Sequence, residues 1–284
     1  GRVTWEVATD RGFRRVVKRG TARAAAVRDY TARTVVQGLR PGEEYFYRFA
    51  TRGKSSEIGR FRTARPADSR EPVKIGFYSC QDYQAGYYTA HAGLAQEDLD
   101  FVVCLGDYVY ERNFYDGPRN DTTGANGDAD VQSLAEYRQK YRLYRKDPDL
   151  QAVHAAHPMI GIWDDHEVED NWAGDKPGDA TPEAERRSEF LERRRQAFLA
   201  FFEWMPRYRL PSDQSRIYGS VPLGGMAELF LIDTRQYRAD QACNDAFVVP
   251  CPDQDAPRDL RGAAQKQWLI DGLKVSRAQW KGVG

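Results

Sequence analysis

The sequence lacks several features that would assign it to a simple class. Lys and Arg together number 42 and so do Asp and Glu, so a formal charge of zero gives no broad reason to expect nucleic acid or an anionic membrane as partner. No apolar run is long enough for a transmembrane segment, because runs such as 101–105 have only the length of a strand. Hydrophobic residues still make up 41% of the 284 residues, which excludes a disordered chain.

Cysteine is also scarce, with four residues of different kinds. Cys243 and Cys251 bracket a short loop of turn residues, which favours a disulfide bond and with it a secreted or extracytoplasmic location. The alternative is a pair of free surface thiols. Cys104 lies inside an apolar run and is predicted to be an inert core residue, whereas Cys80 follows a strand end.

Residues 1–65 predict a small all-β domain. Short strands separated by turn residues are typical of an antiparallel sandwich, and the run from Gly38 to Arg48 resembles the fibronectin type III pattern. We therefore expect a fibronectin type III-like sandwich, followed by a linker at 66–72 that contains Pro66 and Pro72. The expected strands are 3–7, 22–27, 30–36, 39–49 and 58–63.

From residue 73 to residue 284, strands alternate with helices, which predicts an α/β catalytic domain with a sheet core flanked by helices. A polar stretch at 116–130 predicts a long loop, and loops of that length are often functional. The run Arg193–Arg195 is expected on a solvated helix face. The expected strands are 73–79, 100–105, 158–163, 217–221 and 229–232, and the expected helices are 89–96, 131–143, 148–156, 182–204 and 262–276.

The first three strands of this region all end in chemically active residues. Cys80 follows the first, Asp107 the second, and the run Asp164–Glu167 the third. Reactive groups in α/β sheets gather at the carboxyl ends of strands, so we expect these side chains to converge. Clustered carboxylates repel one another unless cations neutralise them, and oxygen ligands suit hard cations. Two cations can stabilise the attacking and leaving oxygens of a displacement at phosphorus.

The same residues carry a family resemblance. Gly106-Asp107-x-x-Tyr110 and Asp165-His166-Glu167 resemble two signatures of the calcineurin-like metallophosphoesterases, with Asp165 where Asn is usual. Together with Ser79-Cys80-Gln81 and residues 231–238, they resemble the PhoD-like alkaline phosphatase and phosphodiesterase family, which includes a secreted actinobacterial phospholipase D. The resemblance implies a metallophosphoesterase-type catalytic domain and metal-dependent hydrolysis of phosphate esters, with phospholipid as a possible substrate.

The resemblance also implies the metal ligands. Asp107 would bridge two metals, Cys80 and Tyr110 would bind the first, and Asp165 would bind the second. A thiolate with a phenolate suits Fe³⁺, and the second metal is expected to be Ca²⁺ or another divalent ion. The nucleophile would be a metal-bound hydroxide. Each ligand has a simpler interpretation: Cys80 as a core thiol, Tyr110 as a packing ring and Asp107 as a turn or helix cap.

Further residues would act on the substrate. His166 would hydrogen-bond the phosphoryl oxygens or protonate the leaving group, and Asn171 and Arg235 are candidate substrate contacts. Asp164 is expected to support a ligand. The simpler interpretations are a solvated Asp164 and a structural pair between Arg235 and Asp233.

The family pattern also requires a later histidine, and no histidine follows His166. We therefore expect the catalytic domain to be incomplete here, with the remaining ligands on a C-terminal polypeptide missing from this chain; the alternative is a degenerate, metal-poor protein. The competing class of function is a non-enzymatic binding or adhesion protein that metals stabilise.

Overall fold

The N-terminal residues form one antiparallel sheet, in a computed structural model that describes residues 1–178, 183–245 and 250–284. Trp5, Val7, Tyr47 and Phe49 face the same side of this sheet, because Trp5 pairs with Phe49 and Val7 with Tyr47. The strands are β1 (Arg2–Ala8), β2 (Val16–Arg23), β3 (Glu44–Thr51), β4 (Lys54–Ser55) and β5 (Gly59–Arg62). The strand order is β2-β1-β3, and both remaining strands pair with β3.

The second layer of the expected sandwich is not confirmed. The strand predicted at 30–36 is wrong, and the one predicted at 22–27 is displaced, since β2 ends at Arg23. Asp29 and Tyr30 adopt φ of 48° and 57°, which turns the chain. Arg33 then donates hydrogen bonds to the carbonyls of Phe202 (2.6 Å) and Met205 (2.8 Å). These carbonyls lie at a helix C-terminus, where helical partners are lacking, so Arg33 attaches this segment to the α/β region, and no strand forms at 31–40.

The α/β region contains two three-stranded sheets. All five strands expected here are confirmed with small changes of boundary. They are β6 (Ile75–Tyr78), β7 (Phe101–Cys104), β8 (Met159–Gly161), β9 (Gly219–Leu223) and β10 (Ala227–Leu231), and the second sheet also contains β11 (Trp280–Val283). The first sheet is fully parallel in the order β6-β7-β8, and the second has the order β11-β10-β9, with β9 antiparallel and β11 parallel to β10.

Helices cover these sheets, and their ends follow local sequence signals. Ser133 and Glu136 form a capping box at the start of α2 (Leu134–Tyr144). Asp147 accepts hydrogen bonds from two backbone N–H groups before Pro148 begins α3 (Pro148–Ala156). None of the described helices is both long and apolar enough to cross a membrane. The helices are α1 (Thr89–Leu94), α2 (Leu134–Tyr144), α3 (Pro148–Ala156), α4 (Glu183–Trp204) and α5 (Gly262–Val275); Pro182, the expected start of α4, lies outside the described residues.

An aromatic core joins α4 to the parallel sheet. Trp163, directly beyond β8, is 1% exposed and stacks on Phe198 of α4 with 4.2 Å between ring centroids. The long loop 116–130 is anchored to the helices by two buried ion pairs, Lys140–Asp121 at 2.7 Å and Arg119–Asp147 at 3.0 Å. The loop beside the strand ends is therefore held in one position.

Candidate metal centre

The ends of β6 and β7 bring Cys80 and Asp107 together through an unusual backbone. Cys80 and Asp107 have φ of 54° and 53°, which is uncommon for residues other than glycine. Gly106 between β7 and Asp107 has φ of 109°, and a Cβ there would lie 2.6 Å from the backbone nitrogen of Asp164. Glycine is therefore required at position 106, because the loop after β8 passes directly against it.

Four predicted ligands converge on this edge of the sheet. The Cys80 thiol (Sγ) donates to Asp107 Oδ2 at 3.4 Å, and the Tyr110 hydroxyl donates to the same oxygen at 3.5 Å. Donor atoms of Asp107, Asp165 and His166 all lie within 4.8 Å of one another. The structure thus brings together one thiol, one phenol and two carboxylates from three strand ends.

The charge balance of the cluster fits a cation site. Among the described residues, five acidic groups lie in or beside it, against two guanidinium groups and one imidazole: Asp107, Glu111, Asp164, Asp165 and Glu167 face Arg112, Arg235 and His166. Burial, assisted by the charges of Asp165 and Asp164 and opposed by that of His166, raises the pKa of Asp107 to about 6. Burial also raises the pKa of Cys80 and of Tyr110. A bound cation would favour the ionised forms of all three, so the donor set fits metal ions.

Glu167 holds the site together, a function the sequence did not reveal. One of its oxygens, Oε2, accepts the backbone N–H groups of Asp107 (3.1 Å) and Asp164 (2.9 Å), and Oε1 accepts that of Tyr108 (2.7 Å). The residue is 1% exposed. One carboxylate therefore links the loops that follow β7 and β8. In the sequence, the position of Glu167 directly after His166 was the only indication of this role.

His166 is oriented by Glu111, which the sequence reasoning also missed. The Nδ1 atom of His166 lies 2.8 Å from Glu111 Oε2. Burial lowers the pKa of His166, but the hydrogen bond and charge of Glu111, with the charges of Asp165 and Asp107, outweigh burial and raise it to about 9. Nδ1 therefore donates to Glu111, and the other ring nitrogen is left for a different partner.

Asp82 is a third buried acid that was given no role. It lies two residues after Cys80 and is 8% exposed. Its Oδ1 accepts the backbone N–H of Gln84, whereas Oδ2 is buried without a hydrogen-bond partner in the described part of the chain. Burial raises its pKa, which the charges of Lys140 and His166 partly offset.

Arg235 lies in the cluster, but its partners differ from the simpler expectation. Asp233 accepts the backbone N–H of Arg235, not its side chain. The guanidinium instead donates from Nε to Asp164 Oδ1 at 2.6 Å, and Nη2 lies 3.2 Å from Asp165 Oδ1. Its Nη1 is buried and has no hydrogen-bond partner among the described residues. Asp164 is consequently ion-paired rather than simply solvated.

Asn171 contacts the cluster through its backbone. With φ of 57°, it donates its N–H to Asp165 Oδ2 at 2.8 Å, while Gln241 donates to its carbonyl. A substrate contact by the Asn171 side chain stays a prediction, as do the roles of the other site residues.

Other cysteine and arginine predictions have clear outcomes. Cys243 and Cys251 form the expected disulfide, with 5.6 Å between their Cα atoms. Cys104 is fully buried, as expected of a core thiol. The solvated face predicted for 193–195 is wrong for Arg193, which is 8% exposed and pairs with Glu169 at 2.6 Å.

The remaining histidines lie in other hydrogen bonds. His91 contacts Gln81, His154 contacts the Tyr108 hydroxyl, and His157 contacts the Leu94 carbonyl. None of the three belongs to the ligand cluster found among the described residues.

An α/β domain with metal-type donors at the ends of its parallel strands defines a candidate metal-dependent hydrolase. Comparison with known families gives a particular assignment. The chain belongs to the PhoD-like phosphatase family: the family's sequence profile matches residues 75–284, and the profile of its N-terminal domain matches residues 1–65. The resemblance noted in the sequence is thereby confirmed.

Two individual relatives agree with this assignment. The chain is 38% identical over 285 residues to alkaline phosphatase D of Bacillus subtilis (strain 168), covering 98% of this chain and 48% of that protein. A solved structure described as "Structure of PhoD" has 36% identity and a TM-score of 0.87, covering 99% of this chain and 54% of the other. The chain thus spans about half the length of these relatives.

Proposed function

We propose that the chain contributes to the metal-dependent hydrolysis of phosphate esters. The observation that carries the proposal is the convergence of Cys80 and Tyr110 on one oxygen of Asp107, with Asp165 alongside. The family assignment and the likeness to alkaline phosphatase D support phosphoester chemistry. The matched ranges also support the proposed division into residues 1–65, a linker at 66–72 and a catalytic domain from residue 73.

In this proposal Asp107 serves two cations, Cys80 and Tyr110 bind the first, and Asp165 binds the second. The mixture of sulfur and phenol oxygen favours Fe³⁺ at the first position, and the carboxylate favours Ca²⁺ or another divalent ion at the second. Bound cations would polarise the phosphoryl group and make water acidic enough to attack it. Glu167 fixes the backbone of Asp107, so the ligand directions are set before any cation binds.

His166 is the proposed proton donor to the ester. Its Nδ1 is held by Glu111, and Phe114 and Tyr110 pack against its ring with centroid distances of 4.7 Å and 4.1 Å. The orientation is therefore fixed from three sides. The hydrogen bond and charge of Glu111 raise the pKa of the ring, which favours a protonated imidazole that can donate to a phosphoryl or leaving-group oxygen.

Arg235 and Asn171 are proposed to contact the substrate. The buried Nη1 of Arg235 lacks a partner in the described structure, so one donor of a guanidinium already positioned by Asp164 remains to bind an anion. Asp164 thus serves as the support for Arg235. The contact from Asn171 rests only on its place beside Asp165.

The substrate class is proposed as phosphomonoesters and phosphodiesters, with phospholipids as the special case. Action on a lipid surface would use exposed apolar residues near the site. Tyr87 and Tyr115 are 67% and 62% exposed, but Tyr88 is buried and Phe114 packs on His166. Residues 247–249, also candidates, lie outside the described residues.

We also propose an extracytoplasmic location, which the Cys243–Cys251 disulfide supports. Two cations need more ligands than the four predicted here, and further side chains and water molecules are proposed to supply them. The alternative is a non-enzymatic protein with structural metals, and measurable hydrolysis of phosphate esters would distinguish an enzyme from such a protein.

The test uses p-nitrophenyl phosphate, bis(p-nitrophenyl) phosphate and phosphatidylcholine as substrates, before and after removal of metals by a chelator. We expect Tyr110→Phe to lower hydrolysis at least about 10-fold and to remove any tyrosinate-to-iron absorption band. Tyr208→Phe, at an exposed tyrosine that has no role in the proposal, is the matched control and should change neither. Hydrolysis that survives complete metal removal, or the absence of hydrolysis of every ester by metal-loaded protein, would refute the proposal.

A further inference from the structure

The zero net charge of the chain conceals a division between its two parts. Residues 1–65 contain 16 Lys and Arg against 6 Asp and Glu, and residues 66–284 contain 26 against 36. The N-terminal part therefore carries a formal charge of +10 and the remainder −10. Such an asymmetry between parts of a chain indicates a charged partner for one of them.

Part of the positive charge lies on one face of the N-terminal sheet. Arg19 and Arg23 of β2 are exposed on the same side, because they are four residues apart on one strand, a distance of about 13 Å. Arg2 of β1 pairs directly with Arg23, so its side chain extends from the same face. We call Arg2, Arg19 and Arg23 the arginine face. The hairpins at its two ends add exposed Arg14, Arg15, Arg52 and Lys54.

The acidic groups of this sheet region are already engaged. Glu6, which is paired with Arg19 in the sheet register, forms an ion pair with Arg48 at 2.6 Å. Asp10 accepts the backbone N–H groups of Arg14 and Arg15. In the described part of the chain, no ion pair involves Arg2, Arg19 or Arg23. The arginine face therefore has no internal counter-charge apart from Glu6, which is already paired with Arg48.

Protection of an edge strand does not explain this arrangement. Charges on β2, at the edge of the sheet, would discourage pairing with another chain. Arg2, however, lies on β1, which is covered on both sides by β2 and β3. Like charges directly opposite each other, as in Arg2 and Arg23, destabilise a sheet. A pair that weakens the fold and has no internal partner is better explained by an external anion.

We propose that the arginine face binds a linear polyanion whose charges are phosphates. Guanidinium groups suit phosphate because they donate in a planar fork. Charges spread over about 13 Å cannot all contact one small anion, whereas an extended polymer reaches them in sequence. A lipid surface fits less well, because Val17, at 44% exposed, is the one large apolar residue exposed on β2, and membrane binding requires buried apolar area.

The test measures binding of long-chain inorganic polyphosphate to the protein at about 50, 100 and 200 mM NaCl. Binding of a polyanion through its phosphates weakens steeply over this range of salt concentration. Arg19→Glu together with Arg23→Glu should weaken binding at least about 10-fold and reduce the salt slope by about 1 to 2. The matched control, Lys266→Glu with Arg277→Glu, makes the same change of net charge at exposed positions outside the N-terminal sheet, and should alter binding less than about 3-fold.

Several results would overturn this inference. Equal binding by the Arg19/Arg23 double variant and the wild type would place the polymer elsewhere. Binding of phosphatidylglycerol vesicles without binding of polyphosphate would make the partner a membrane. Full displacement of the polymer by orthophosphate at equal phosphate concentration would reduce the site to a single-anion site. Hydrolysis of p-nitrophenyl phosphate should be unchanged in both double variants; its absence from the wild type would refute the proposed function instead, so the two failures are distinguishable.

Discussion

Replacing Glu167 by Gln tests whether one buried carboxylate holds the strand ends in place. Gln has almost the same volume but keeps only one acceptor oxygen. At best that oxygen accepts the N–H groups of Asp107 and Asp164, and the new NH₂ group then faces the N–H of Tyr108, which lies 2.7 Å from the present carboxylate. One hydrogen bond to a charged acceptor, about 1.5–3 kcal/mol, is lost, and a buried donor left unpaired costs about 1–3 kcal/mol more.

We therefore expect Glu167→Gln to lower the free energy of unfolding by about 3–5 kcal/mol, measured by urea denaturation. Metal retention and ester hydrolysis should fall with it, because Asp107 loses its backbone anchor. The control is Glu192→Gln, the same chemical change at an exposed ion pair with Arg195, which should leave stability and metal content unchanged. Unaltered stability and metal content in Glu167→Gln would refute the anchoring role.

Two further predictions concern stability. Asp121→Ala should cost about 3–5 kcal/mol, because it leaves the Lys140 ammonium, 1% exposed, buried without its partner; the double variant with Lys140→Met should recover most of the loss. His154→Gln tests pH dependence: burial lowers the pKa of His154 well below 6.5, so acidification below pH 6.5 protonates the unfolded state selectively and removes stability. The variant should lessen this acid sensitivity by up to about 1.4 kcal/mol per pH unit in denaturation curves.

Each of these has a result that contradicts it. If Asp121→Ala and its double variant are equally unstable, the loss comes from the loop and not from the unpaired ammonium. If the pH profile of His154→Gln matches that of the wild type below pH 6.5, His154 is not a neutral buried group.

The strand ends of the site could be predicted from sequence because they depend on local signals. Apolar runs locate β6, β7 and β8, and parallel strands bring their carboxyl ends to one edge, so Cys80, Asp107 and Asp165 were found together. Glu167 and Glu111 could not be assigned, because a glutamate beside a motif gives no indication of which backbone groups or ring it will contact. The partners of Arg235 likewise depend on how the loop after β10 meets the loop after β8.

The N-terminal part was harder to predict for two reasons. Segment 31–40 has an alternating pattern, yet Arg33 binds the end of α4, and a contact between residues so far apart in sequence leaves no local signal. The whole-chain charge was also misleading, since the sum of zero hides equal and opposite charges in two parts. Arg193 shows the same limit: its buried partner Glu169 lies on a different element from α4.

The central claim is that cations lie between the donors contributed by the three strand ends. Elemental analysis of the natively purified protein tests it most directly. We predict stoichiometric iron together with calcium or another divalent metal, and loss of the iron in Cys80→Ala. Catalytically active protein that contains neither iron nor any divalent metal would contradict the account.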